Sequence, residues 1–150
     1  MALEKWFQRG LETAHMASTW SKDPTTGVGA AIFDRRHRLV SVGFNGLPHG
    51  VKDAADLLED RDSKLACILH AEENAILFAR QDLSDCVLFV VPLLPCAGCA
   101  SRIIQSGIRH VVALEADAQA RDRWAVSTAL TRRLFAEAGV HLTLIGEHNR

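Results

Sequence analysis

The sequence predicts an α/β fold of three layers, a β-sheet held between helices. Two observations carry the prediction. From residue 86 to residue 145 strand-like apolar runs alternate with single helix-like segments, and strands joined by single helices favour parallel neighbours with helices on both faces of the sheet. The run CVLFVV at 86–91 is apolar without alternation, as a strand covered on both faces should be.

The elements follow in order. Leu3, Phe7, Leu11, Ala14 and Met16 fall at roughly helical spacing, which predicts a first helix over 3–17 that stops at the turn-rich STWSKDPTTG. VGAAIF (28–33) and LVSVGF (39–44), separated by the charged DRRHR, predict two strands of a hairpin, and NGLPHG from Asn45 breaks the second. Residues 52 to 64 hold five acids and three bases and predict a solvated helix or flap, not a domain boundary. Ile68, Ala71, Ala75, Ile76, Phe78 and Ala79 return to helical spacing and predict a helix over 67–79. The remainder reads as strand 86–91, helix near 97–106, strand 110–114, helix near 124–138 and strand 140–145. Gly107 and Gly139 stand where helix C-caps belong. With no repeat or linker, residues 1–150 read as a single domain.

A chain of 150 residues, 48% hydrophobic and 23% charged, can bury a self-sufficient core. Its net charge of -1 and pI near 6.6 exert no overall pull toward nucleic acid or anionic membrane, so a small, locally recognised molecule is the expected partner. No run approaches the ~18 apolar residues of a membrane span, and MALEKWFQRG lacks the apolar centre of an export signal. The expected location is the cytoplasm. Cys67, Cys86, Cys96 and Cys99 then point to metal or catalysis in place of a disulfide framework.

Cys96 and Cys99, three apart behind Pro95, open the helix near 97–106 and can turn both sulfurs to one side of its first turn. A helix N-terminus lowers thiol pKa, which suits thiolates binding a cation. By itself the pair leaves a redox couple, a zinc half-site and chance open. Upstream, ILHAEENAIL supplies His70 and, two positions on, Glu72. Three protein ligands with an open fourth position are the catalytic form of a zinc site. His70, Cys96 and Cys99 make such a set, and Glu72 offers a carboxylate that reaches the water there without ligating the metal. Cys67, three residues before His70, would instead complete a closed structural site, while Cys86, heading the apolar strand, reads as a small core residue.

His-x-Glu with Pro-Cys-x-x-Cys is the established signature of zinc deaminases, and the chain resembles the cytidine and deoxycytidylate deaminase superfamily, most closely the deoxycytidylate deaminases. The resemblance rests on WSKDPTTGVGAAIFD, VSVGFNGLPHG, HAEENAI, LFVVPLLPCAGCASRIIQSGI and RLFAEAGV. It implies a central five-stranded mixed sheet flanked by helices, a zinc-dependent hydrolase acting on a cyclic amidine, and assembly as a homo-oligomer. Residue by residue it implies His70, Cys96 and Cys99 as zinc ligands, Glu72 as proton shuttle, and Asn45 as a contact to the substrate sugar. Lys22, in the SKDP loop, is a candidate phosphate contact; Ala71 and Trp124 are further substrate-binding candidates, and His49 is read as an ordinary loop histidine. The expected reaction is dCMP to dUMP plus ammonia. Deamination of a free or modified base or nucleoside, a tRNA-adenosine deaminase and a non-catalytic zinc scaffold are the alternatives.

The chain departs from the family pattern in three places. Phe44 stands where tyrosine is frequent, Ala97 and Gly98 replace bulkier polar residues, and EADAQARDRWAVST (115–128) is not a close match.

Overall fold

The structure, a computed structural model, describes residues 2–146. The chain runs α1 (Ala2–Ser18), β1 (Gly29–Phe33), β2 (Leu39–Phe44), α2 (Ala55–Leu58), α3 (Arg61–Cys67), α4 (Ala71–Ala79), β3 (Val87–Val91), α5 (Ala97–Gln105), β4 (His110–Leu114), α6 (Ala118–Arg123), α7 (Ala125–Ala138) and β5 (His141–Ile145). The sheet has five strands in the order β2-β1-β3-β4-β5. β1 is antiparallel to both β2 and β3, while β3, β4 and β5 run parallel. This is the expected three-layer fold with a mixed sheet.

Alternation along each strand assigns the two faces. Ala31, Phe89, Val91 and Val112 pack with Leu11 and Ala14 of α1. Ala30, Ile32, Leu88, Val90, Val111 and Ala113 pack on the other face with Ala71, Ala75, Ala100, Ile103 and Phe135 of α4, α5 and α7. Two glycines let helices come down onto the sheet backbone. A Cβ on Gly29 would run into the backbone of Ala14 and Ser18, and one on Gly43 into that of Ala71 and Ala75. Asn74 then fixes α4 on β2 by donating to Phe44 O at 2.8 Å. No helix among the described residues is long and apolar enough to cross a membrane.

Three expected segments differ in their bounds. The helix expected over 67–79 begins at Ala71, capped by His70, because the three residues before the cap are spent elsewhere. Cys67 ends α3, Ile68 is extended, and Leu69 pairs with Gly46 through hydrogen bonds of 2.8 and 3.1 Å. The charged stretch 52–64 folds as two short helices, α2 and α3. The last helix is likewise preceded by another, α6, capped where Asp117 accepts the Ala120 N–H at 2.7 Å and broken at Trp124. Cys86 is buried in the core, as expected.

His110, opening β4, is half-buried beside Phe7 and His141, with Nε2 2.9 Å from Thr143 Oγ1. Burial first, and the charge of His141 second, hold it below the ordinary imidazole value of 6.5. Because the unfolded chain binds this proton at higher pH than the folded one, the stabilisation is full above about 6.5 and declines as pH falls toward the folded value. In denaturant titrations between pH 7 and pH 5, His110→Gln is expected to show a shallower loss of stability than the wild type; an equal slope would contradict this.

Candidate active site

The register of the sheet gathers the site. Gly29 at the start of β1 lies opposite Phe44 at the end of β2 and Val91 at the end of β3. Residues 26–28, Asn45 and residues 93–96 therefore leave the sheet at one end of its strands, and β4, parallel to β3, delivers Ala116 to the same end. Together with α3, α6 and the heads of α4 and α7, these segments enclose a cavity of about 570 Å³.

Two helix heads face one another there. His70 is the residue before α4, and Cys96 is the N-cap of α5, its Sγ accepting the Cys99 N–H at 3.5 Å. Helix α7 braces this turn from behind: Thr131 Oγ1 donates to Pro95 O at 2.8 Å, and Ser127 Oγ accepts the Ala97 N–H at 3.1 Å. His70 Nδ1 lies 3.5 Å from Cys96 Sγ and 3.2 Å from Cys99 Sγ. The three donor atoms lie within 4.8 Å of one another, the one such group of three found among the described residues. Tetrahedral zinc with N and S ligands at its usual bond lengths separates N from S by about 3.5 Å, so the spacing and the donor chemistry fit zinc. The Cys99 thiol's hydrogen bond holds Cys96 down at about 3, and the same contact, with burial, pushes Cys99 up. The hydrogen bond of Cys96 to His70 raises the imidazole pKa.

Glu72 is 4% exposed and lines the cavity, with Oε2 3.7 Å from Cys99 Sγ. Desolvation lifts its carboxyl to about 7, against the opposing pull of a backbone hydrogen bond and His70. Its carboxylate is not one of the grouped donors, and it stands beside them.

The other sequence candidates are placed unevenly. Asn45, Ala71 and Trp124 line the cavity. Lys22 does not: its side chain is 71% exposed and its ammonium is 2.8 Å from Asp53. The chain turns its neighbours inward instead, with Ser21 Oγ donating to Asn45 O at 2.8 Å. Cys67 and His49 are exposed and lie outside the donor group, so the metal position is an open three-ligand set. Phe44 packs edge-on against Trp20, with ring centroids 6.1 Å apart. The divergent segment 115–128 forms one wall through Ala116, Ala120, Arg123, Trp124, Ser127 and Thr128.

Sequence reasoning missed the hub that orders the rim. Asp23, with a side chain 7% exposed, takes the Lys64 ammonium at 3.2 Å, the N–H groups of Thr25 and Thr26, and Asn45 Nδ2 at 3.4 Å. Asn45 in turn accepts the Val28 N–H at 2.8 Å and donates to Thr26 O at 2.9 Å. Removing one partner of a pair this buried leaves the other charge desolvated. Asp23→Ala is therefore expected to cost about 3 kcal/mol in a denaturant titration; Lys64→Met added to it should recover part of that loss. A cost within ~0.5 kcal/mol, the range of an ordinary surface substitution, would contradict the hub.

Fold and site together define a zinc-dependent deaminase. The chain belongs to the cytidine and deoxycytidylate deaminase zinc-binding family, whose zinc-binding region is matched over residues 3–115. It is 45% identical to an uncharacterized deaminase in the luxG 3' region of Aliivibrio fischeri, over 94% of both chains. It is 36% identical to the deoxycytidylate deaminase of Mus musculus, over 91% of this chain and 77% of that one. The crystal structure of a dCMP deaminase from the cyanophage S-TIM5 in apo form has the same fold, with TM-score 0.71 and 20% identity over 94% of this chain and 98% of that one.

Proposed function

We propose that the chain, as one deaminase domain, hydrolyses the exocyclic amine of dCMP to give dUMP and ammonia. The observation that carries the reading is Glu72, buried in the cavity beside His70, Cys96 and Cys99, with Oε2 3.7 Å from Cys99 Sγ. The 36% identity to a deoxycytidylate deaminase supports the substrate. His70, Cys96 and Cys99 hold the zinc, which supplies a water acidic enough to act as a nucleophile at neutral pH. Glu72 takes the nucleophile's proton, delivers it to ring N3 as the C4–O bond forms, then takes the remaining proton from the new C4 hydroxyl and carries it to the amine as the C4–N bond breaks.

The walls position the nucleotide. Both amide protons of Asn45 are committed to Thr26 and Asp23, but among the described residues Oδ1 accepts only the Val28 N–H, which leaves a lone pair for a sugar hydroxyl. The Ala71 N–H, first in α4, has no intrahelical acceptor and suits the base carbonyl. Trp124 offers its ring to the base. Lys64 is neutralised by Asp23. Arg61 and Arg123 are the cavity cations whose side chains carry no hydrogen bond or ion pair among the described residues, and they take the phosphate in place of Lys22. Ammonia release from dCMP, CMP, deoxycytidine, cytosine and adenine compounds tests this. Turnover of dCMP should dominate, and Arg123→Gln should lower the ratio of dCMP to deoxycytidine kcat/KM about tenfold, the worth of a charge-assisted hydrogen bond. Preference for an unphosphorylated base would reverse the substrate assignment.

Self-association belongs to the same reading. Leu77 and Phe78 at the end of α4, and Val126 and Leu130 on α7, are exposed apolar side chains of the kind a second copy would cover. Four free cysteines fit the reducing cytoplasm.

A further inference from the structure

The donor triad is split between two helices, His70 at the head of α4 and both cysteines at the head of α5. Something must hold one helix head against the other, and one guanidinium touches both. Arg102 Nε lies 3.1 Å from Glu73 Oε2. Its Nη1 donates to Gly98 O at 2.8 Å, a carbonyl between the two cysteines. Glu73 carries the link onward, because its Oε1 accepts the His70 backbone N–H at 3.2 Å. Gly98 leaves the guanidinium its place: a Cβ there would stand 3.2 Å from Arg102 Nη1. The chain from His70 N through Glu73 and Arg102 to Gly98 O is thus a continuous set of polar contacts spanning the metal site from outside.

We infer that Glu73 and Arg102 are positioning residues for the zinc, a clasp that sets the spacing between His70 and the Cys96–Cys99 turn. The inference rests on the zinc reading of the triad and adds two residues that touch neither metal nor substrate. The Arg102 side chain is 57% exposed and that of Glu73 17%. So exposed an ion pair adds little to global stability. Its effect falls on the metal, since partners that orient ligands change metal affinity by about 10–100-fold. Arginine suits the task because its fork reaches two acceptors in fixed directions, which one ammonium does not.

The test uses the zinc-loaded full chain and reads zinc transfer to a chromogenic chelator, the visible spectrum of the cobalt-substituted protein, and the unfolding midpoint. Arg102→Leu is expected to speed zinc transfer about tenfold or more and to shift the cobalt spectrum, with the midpoint of the chelated chain nearly unchanged and that of the zinc-loaded chain lowered only as far as the weaker zinc binding requires. Glu73→Gln keeps an oxygen for the His70 N–H but loses the ion pair, and should move transfer and spectrum the same way. Arg102→Lys should recover part of the loss. Wild-type transfer rates and cobalt spectra in Arg102→Leu and Glu73→Gln would overturn the clasp. Should Arg102→Leu fail to fold, the near-isosteric Glu73→Gln decides alone. A wild-type chain that binds no zinc would instead overturn the metal reading itself.

Discussion

Glu72→Gln is expected to keep its zinc and lose turnover by about 100- to 10,000-fold, the range that a positioned acid–base group supplies. The amide matches the carboxyl in shape, so the cavity and the donor triad stay as they are, yet it cannot accept and return a proton. Glu72 stands apart from the grouped donors His70, Cys96 and Cys99, which is why metal content should not follow activity down. Its burial, and a carboxyl raised to about 7 by desolvation, leave it able to take and give a proton near neutral pH. Metal analysis beside single-turnover kinetics separates the two effects. Full activity in the variant would end the assignment of Glu72.

The second large effect concerns stability. Zinc binds the folded chain through three donors from separate parts of the sequence, so binding energy appears as folding energy. With free zinc at 1,000 times the dissociation constant, the linkage is worth about 4 kcal/mol. Chelation of the wild type is expected to remove that amount, seen as a lower denaturant midpoint. Cys99→Ser, at a position 1% exposed, should start near the chelated value and respond little to zinc. Cys67→Ser should behave as wild type, since Cys67 is exposed and outside the donor group. A Cys67 variant that loses the zinc response would restore the closed four-ligand site.

Much of this was legible in the sequence, for local reasons. The strands were readable because each carries its own apolar pattern, and the donor triad with the carboxylate beside it because His70 and Glu72, like Cys96 and Cys99, sit close together at a helix head. What escaped prediction depends on partners far along the chain. Ile68 fits a helical pattern, but it is extended, and Leu69 beside it pairs with Gly46. Lys22 looked like the basic residue of its loop, yet it points to Asp53 while its neighbour Asp23 turns inward to Lys64, 41 positions away. Glu73 did leave a trace, since an acid three residues after a cap residue is the mark of a capping box; the histidine at the cap position concealed it. Arg102 left none, because its contact with Glu73 exists only once α4 and α5 are packed.

The most direct test of the central claim is to follow dCMP in 18O-labelled water with the zinc-loaded chain, reading product by mass spectrometry together with released ammonia. The dUMP formed is expected to carry the label in its new C4 carbonyl oxygen, with one ammonia for each, and no product is expected after chelation until zinc is restored. No dUMP from the zinc-loaded chain, unlabelled dUMP, or undiminished turnover without zinc would contradict it.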